Sequence, residues 1–200
     1  MIYQNLTVEF ISGAVALQRA CFPEPFPEEL LWQRVHLANH LRLFPRGQFV
    51  ALDGDKVIAS CTNMLVSDAD WDAHLPWEEQ TGGLMLTQHN PDGKTLYGID
   101  ISVHPDYRGR GIARRLYQKR YDLVRAQKLT RYGTVCRMPD YAASGMHSPA
   151  EFADAVVAGV VTDRTLTPLL KMGLAYQGII ADYMDDAESG DAGAILNWQN

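Results

Sequence analysis

The densest chemistry in the chain lies between Arg108 and Lys128. Arg108, Arg110, Arg114, Arg115, Lys119, Arg120, Arg125 and Lys128 stand against one acid, Asp122, so this stretch holds 8 of the 18 basic residues. It opens on Arg108-Gly109-Arg110-Gly111-Ile112-Ala113, where a strand pattern gives way to a helix pattern. Glycines let backbone N–H groups approach a ligand closely, and a helix start offers unpaired donors and the positive end of its dipole. Arginines beside such a turn add two-pronged partners for phosphate oxygens. The expected chemistry is capture of a phosphate-bearing ligand. Two other phosphate loops are excluded. A GxGxxG dinucleotide turn fails because Arg114 stands at the third glycine, and Leu129-Thr130-Arg131 occupies the region where an acid belongs. A Walker A loop ending in Gly93-Lys94-Thr95 fails because Gln88 stands at its first glycine.

The other reactive side chains give weaker signals. Cys21, Cys61 and Cys136 are odd in number, widely spaced and without a CxxC pair, which reads as three reduced thiols and a reducing, cytoplasmic setting. His36 and His40 lie one helical turn apart, but no third ligand has recognisable spacing, so no metal site is expected. His104 precedes Pro105 at a strand end and reads as positional, and His147 is a loop residue that is a candidate to face substrate. Asp100 is the acid of the strand Leu96–Val103. Strand alternation puts Asp100 and Ser102 on one face, and Ile99, Ile101 and Val103 on the other.

The elements that must position these residues follow from periodicity and breakers. Thr7 caps a first helix running to Ala20, and a second runs from Pro27 to Leu43. Strands Gln48–Leu52 and Val57–Val66 flank the turn Asp53-Gly54-Asp55-Lys56. Residues 67–93 read as a long surface excursion with about one helical turn, in which Trp71 and Trp77 either line a binding face or plug the core. The strand Leu96–Val103, the helix Gly111–Lys128 and the strand Tyr132–Cys136 form a right-handed crossover with parallel strands. Helices Ser148–Ala158 and Thr162–Met172 and strands Leu174–Met184 and Ala194–Trp198 complete a single α+β domain over residues 1–200, one mixed sheet with helices on both faces.

The string Val103-His104-Pro105-Asp106-Tyr107-Arg108-Gly109-Arg110-Gly111-Ile112-Ala113-Arg114-Arg115-Leu116 resembles the acetyl-CoA-binding motif of the GNAT superfamily of N-acetyltransferases, R/Q-x-x-G-x-G/A, here Arg108-x-x-Gly111-x-Ala113. The coarse element order matches over the whole chain, with the first family strand very short or missing. Leu96–Val103 and the tail Asp182–Gly190 resemble a GNAT branch often joined to a carbon–nitrogen hydrolase, although these 200 residues hold no hydrolase portion. The resemblance implies acetyl-CoA as cofactor. Its pantetheine amides would pair with the backbone of Ile101, Ser102 and Val103. Its pyrophosphate would sit on the N–H groups of Gly109, Arg110, Gly111, Ile112 and Ala113, with Arg108 flanking and Arg114 adding charge.

Acyl transfer to a primary amine then needs a base, because the amine arrives protonated with a pKa of about 10. Asp100, at a position where relatives often carry an acid, is the candidate base; a surface or capping aspartate is the plainer alternative. The tyrosine that many members place four residues before the end of the last helix is replaced by Leu169, counting back from Gly173. Tyr141 is the substitute acid, with a packing role the plainer alternative.

The net charge of −6 argues against nucleic acid as partner, and the lack of an apolar run of about 18 residues argues against a membrane span. The expected acceptor is an amine of a small molecule or peptide. A non-catalytic acyl-CoA-binding or regulatory module is the alternative. The resemblance also implies a homodimer, with Trp198 either at its interface or in the core.

Overall fold

A computed structural model describes residues 1–24, 26 and 28–199. The strands are β1 (Ile2–Asn5), β2 (Phe49–Asp53), β3 (Lys56–Val66), β4 (Thr95–Val103), β5 (Arg131–Cys136), β6 (Ala175–Ile180) and β7 (Gly193–Trp198). They form one mixed sheet in the order β1-β2-β3-β4-β5-β7-β6. The first strand, expected to be short or missing, is four residues long and pairs antiparallel with β2.

Helices α1 (Ile11–Cys21), α2 (Arg34–Leu43), α3 (Asp68–Ala73) and α4 (Trp77–Thr81) belong to one face of the sheet, and α5 (Ile112–Gln127), α6 (Pro149–Val157) and α7 (Leu166–Lys171) to the other. Strand alternation feeds both layers. Val50 and Leu52 pack with Leu17 and Leu37, while Phe49 and Ala51 pack with Ile112 and Leu116. Phe152, Val156, Leu166 and Leu169 extend the second layer over Leu96, Tyr132 and Leu196. Leu169 is therefore a core residue.

The β4-α5-β5 crossover makes β4 and β5 parallel, as expected, but they pair only from Thr95↔Arg131 to Gly98↔Thr134. Where they part, Thr134 Oγ1 donates to the Gly98 carbonyl at 2.8 Å. Beyond Gly98, β4 has an open edge on that side while it stays paired with β3 as far as Ala59↔Val103. The register with β3 steps from Asn63↔Gly98 to Thr62↔Asp100, leaving Ile99 as an extra, bulged residue. The bulge corrects the expected common face. Ile99 packs toward α1 and α2, whereas Ile101 and Val103 pack toward α5.

Several helix starts also differ from expectation. Thr7 is extended and makes no side-chain cap; a 3₁₀ turn intervenes and α1 begins at Ile11. The second helix begins at Arg34, where Gln33 and His36 cap reciprocally, and Pro27 lies outside the described residues. Residues 67–93 hold two helices, the first opened by the Ser67–Asp70 capping box. Trp71 is a plug, 3% exposed, filling space that a Cβ on Gly133 would enter at 2.5 Å from the ring. Asp163 draws the amides of Thr165 and Leu166 to one carboxylate oxygen at 2.7 Å each, which delays α7 to Leu166. Trp198 stacks on Tyr121 at 4.3 Å with Arg125 over its ring at 4.9 Å, so its ring packs within the chain. No helix among the described residues is long and apolar enough to cross a membrane.

Candidate active site

The Arg108–Ala113 turn forms one wall of a cleft of about 480 Å³. Gly109 and Gly111 adopt φ of +75° and +74°, a region open to glycine at little cost, and a Cβ on either would meet nothing within 4 Å. Gly111 is the N-cap of α5 and carries no side chain to close it, so the first amides of a 16-residue helix are left without a cap. Such amides, beside open space, suit an anionic ligand. The residues present therefore fit the diphosphate of a thioester carrier.

Of the cofactor residues expected from sequence, Val103, Arg108, Gly109, Gly111, Ile112, Ala113 and Arg114 line this cleft. Ile101 lies on the open edge of β4 with its side chain in the α5 layer. The Ser102 side chain is buried on the opposite face. Arg110 turns outward, bonding the Asp106 carbonyl at 2.8 Å and stacking on Tyr107. Arg108 Nε ties back to the Val103 carbonyl at 3.1 Å, bracing the turn against the end of β4.

The basic run is thus divided. Arg108 and Arg114 reach the cleft; Arg115 and Lys119 line a separate hollow with Tyr3; Arg120 is buried; Arg125 pairs with Asp122. The opposite wall comes from α7, through Thr167, Pro168, Lys171 and Met172. No local motif marks those residues; packing of α7 beside α5 brings them there.

Asp100 lies on the open edge, half-buried, with its side chain toward α1. Gln18 Nε2 donates to its carboxylate at 3.1 Å and to Ser102 Oγ at 3.0 Å, and Ser102 Oγ donates in turn at 3.3 Å. The Trp32 indole donates as well. Burial pushes the Asp100 carboxyl up to about 6, against the pull of Arg120, Trp32, Ser102 and Gln18. That value suits a base that is ionised at neutral pH yet still takes a proton. Cys21, at the end of α1, borders the same group; burial and Asp100 raise its thiol, opposed by Arg108 and Ser102. Gln18, Trp32 and Arg120 were invisible as site residues in the sequence, since each joins Asp100 from a different element.

Tyr141 follows β5 in the loop across the opening from β4. Its half-buried ring packs against Phe152 at 5.9 Å and over Gly190, in the α5–α7 layer rather than on the Asp100 side. The histidines serve the scaffold. His36 closes the α2 cap, His40 is buried with Nε2 at 2.7 Å from the Leu84 carbonyl, and His104 Nδ1 accepts from the Asp106 amide. His147 is exposed.

The profile of the acetyltransferase (GNAT) family matches residues 12–152. The chain belongs to the GNAT acetyltransferase family. It is 34% identical over 198 residues to the uncharacterized N-acetyltransferase YkwB of Bacillus subtilis (strain 168), covering 98% of this chain and 88% of that one. It is also 34% identical over 202 residues to the probable hydrolase YhcX of the same organism, covering all of this chain but 39% of that protein's length. The GNAT member's likeness to part of a longer hydrolase agrees with the branch that the β4 and tail residues resemble. Among solved structures, the GphF GNAT-like decarboxylase in complex with isobutyryl-CoA superimposes with a TM-score of 0.78 at 21% identity, covering 100% of this chain and 99% of that one.

Proposed function

We propose that the protein is an acetyl-CoA-dependent N-acetyltransferase acting on a primary amine of a small molecule or peptide. The observation that carries this reading is the uncapped start of α5 at Gly111, opening onto a cleft beside the unpaired edge of β4. Bound there, coenzyme A would supply the acyl group as a thioester. The amides from Gly109 to Ala113, with Arg108, Arg114 and Lys171, would hold its phosphates, and the open edge of β4 over Ile101, Ser102 and Val103 would pair with its amide arm.

Asp100 removes the proton from the incoming ammonium at its carboxylate, freeing the nitrogen lone pair for attack. Tyr141 Oη is the group we assign to protonating the departing thiolate. Tyr141→Phe separates this role from packing, because the ring contact with Phe152 survives and only the hydroxyl is lost; an unchanged kcat removes the assignment.

Calorimetric titration with acetyl-CoA tests the site. Arg108→Ala loses a charged partner and Gly111→Glu places a strained, anionic residue in the turn; each is expected to weaken binding by about tenfold or more. Unchanged affinity in both would sink the reading.

A second reading has its own support. The GphF relative is a decarboxylase by name, and Leu169 leaves the usual phenol position aliphatic. Loss of carbon dioxide from a carboxyacyl-CoA without any amine would favour it. Tight cofactor binding with neither carbon dioxide nor thiol released would favour a non-catalytic module.

A further inference from the structure

An arginine is sealed beneath the candidate base. Arg120 is 1% exposed, and α5 directs it into the sheet with its guanidinium carbon 4.8 Å from the Tyr117 ring centre and 5.2 Å from that of Tyr132. One terminal nitrogen donates to Tyr132 Oη at 2.9 Å. The other donates to the Asp100 carbonyl at 2.6 Å and reaches the Thr62 carbonyl at 3.4 Å. Thr62 and Asp100 are the register pair at the Ile99 bulge. A bulge strips backbone groups of ladder partners, and a buried carbonyl left alone is costly, so a guanidinium that serves both carbonyls holds the bulge in place. Arg120 Nε has no hydrogen-bond partner among the described residues, so the hydrogen bonds of the side chain are those of its two terminal nitrogens.

The charge has few neighbours. Around Arg120 stand Tyr117, Tyr132 and Cys61, all raised by burial and so neutral through the working pH range, and Asp100. Around Asp100 stand the neutral Gln18 and Cys21 of α1, Trp32 ahead of α2, Ser102 of β4, and Arg120 from beneath. Arg108 acts on this group at one remove, through Cys21. A buried charge needs an opposite partner, and for Arg120 the one acid among its neighbours is the half-buried Asp100, on the other face of β4.

We propose that Arg120 is a positioning residue for the base: it fixes the bulge that presents Asp100 and supplies the positive charge that keeps the carboxylate ionised. The proposal rests on the reading of Asp100 as base only for its kinetic consequence. The coupling itself is a property of the folded chain.

The experiment is a titration of the full-length protein labelled with ¹³C at aspartate carboxyls, with the Asp100 signal assigned by its loss in Asp100→Asn. In Arg120→Met the Asp100 midpoint is expected to rise by about one pH unit or more. In Arg120→Lys, which keeps a cation but loses the fork, the rise is smaller, and this variant carries the test if Arg120→Met does not fold. The acid limb of kcat/KM should move by the same amount in each. An unmoved Asp100 midpoint in a folded variant overturns the proposal. An acid limb that persists in Asp100→Asn while the ¹³C midpoint still follows Arg120 overturns the base instead, and leaves the coupling standing.

Discussion

A carboxylate that burial lifts to about 6 is costly to keep in a folded chain, and this gives the Asp100 assignment two separable consequences. A raised carboxyl contributes its stability at low pH and loses it as pH climbs from the unfolded value of 3.8 to about 6. At pH 7 the ionised group therefore opposes folding. Asp100→Asn, which mimics the protonated form, should raise the unfolding free energy by about 1–3 kcal/mol, measured by chemical denaturation. The same substitution should lower kcat by roughly 10²-fold and erase the acid limb near pH 6. A gain in stability paired with a loss of rate identifies a group kept for chemistry. A loss of stability with unchanged rate would make Asp100 a capping residue held by Gln18, Trp32 and Ser102.

At the scale of elements, the site depends on where β4 and β5 stop pairing. Tyr132 projects over Gly98, and a Cβ there would come within 2.1 Å of the phenol oxygen and 2.7 Å of the carbon bearing it. That ring is held by the Arg120 bond and a perpendicular contact with Tyr117, so it cannot step aside. Gly98→Ala should destabilise by about 2–3 kcal/mol in denaturant titrations, and it should cost activity beyond that loss because it disturbs the bulge at Ile99. The α7 wall makes a milder prediction. Lys171→Ala should raise KM for the thioester by a few-fold with kcat nearly unchanged, the signature of lost ground-state binding. A kcat effect instead would mean that α7 positions the reacting group.

For the whole molecule, charge is distributed unevenly but not as the sequence run suggests. Arg108, Arg114 and Lys171 converge on the cleft from the glycine turn, α5 and α7, whereas most of the Arg108–Lys128 run points elsewhere. With these exposed cations facing an anionic ligand, affinity for coenzyme A should fall several-fold between roughly 0.05 and 0.5 M salt, measured by calorimetry. The triple loss at Arg108, Arg114 and Lys171 should remove most of that salt dependence. Neutralising Arg115 and Lys119, which line the Tyr3 hollow instead, should leave it intact.

Local rules settled a good part of this protein. The strands around the turn at Gly54, the crossover order and the Arg108–Ala113 turn are short-range features, set by side-chain pattern and glycine backbone freedom, and they were legible in the residues. Tertiary structure decided the rest. Asp163 moved the start of α7, and Trp71 became a plug because Gly133 leaves it room. The Ile99 bulge turned one residue of β4 to the other face, and only the pairing of β3 with β4 specifies it. The companions of Asp100 come from α1, α5 and the segment before α2, far apart in sequence, because a buried charge is governed by whatever the fold packs around it and no spacing along the chain encodes that.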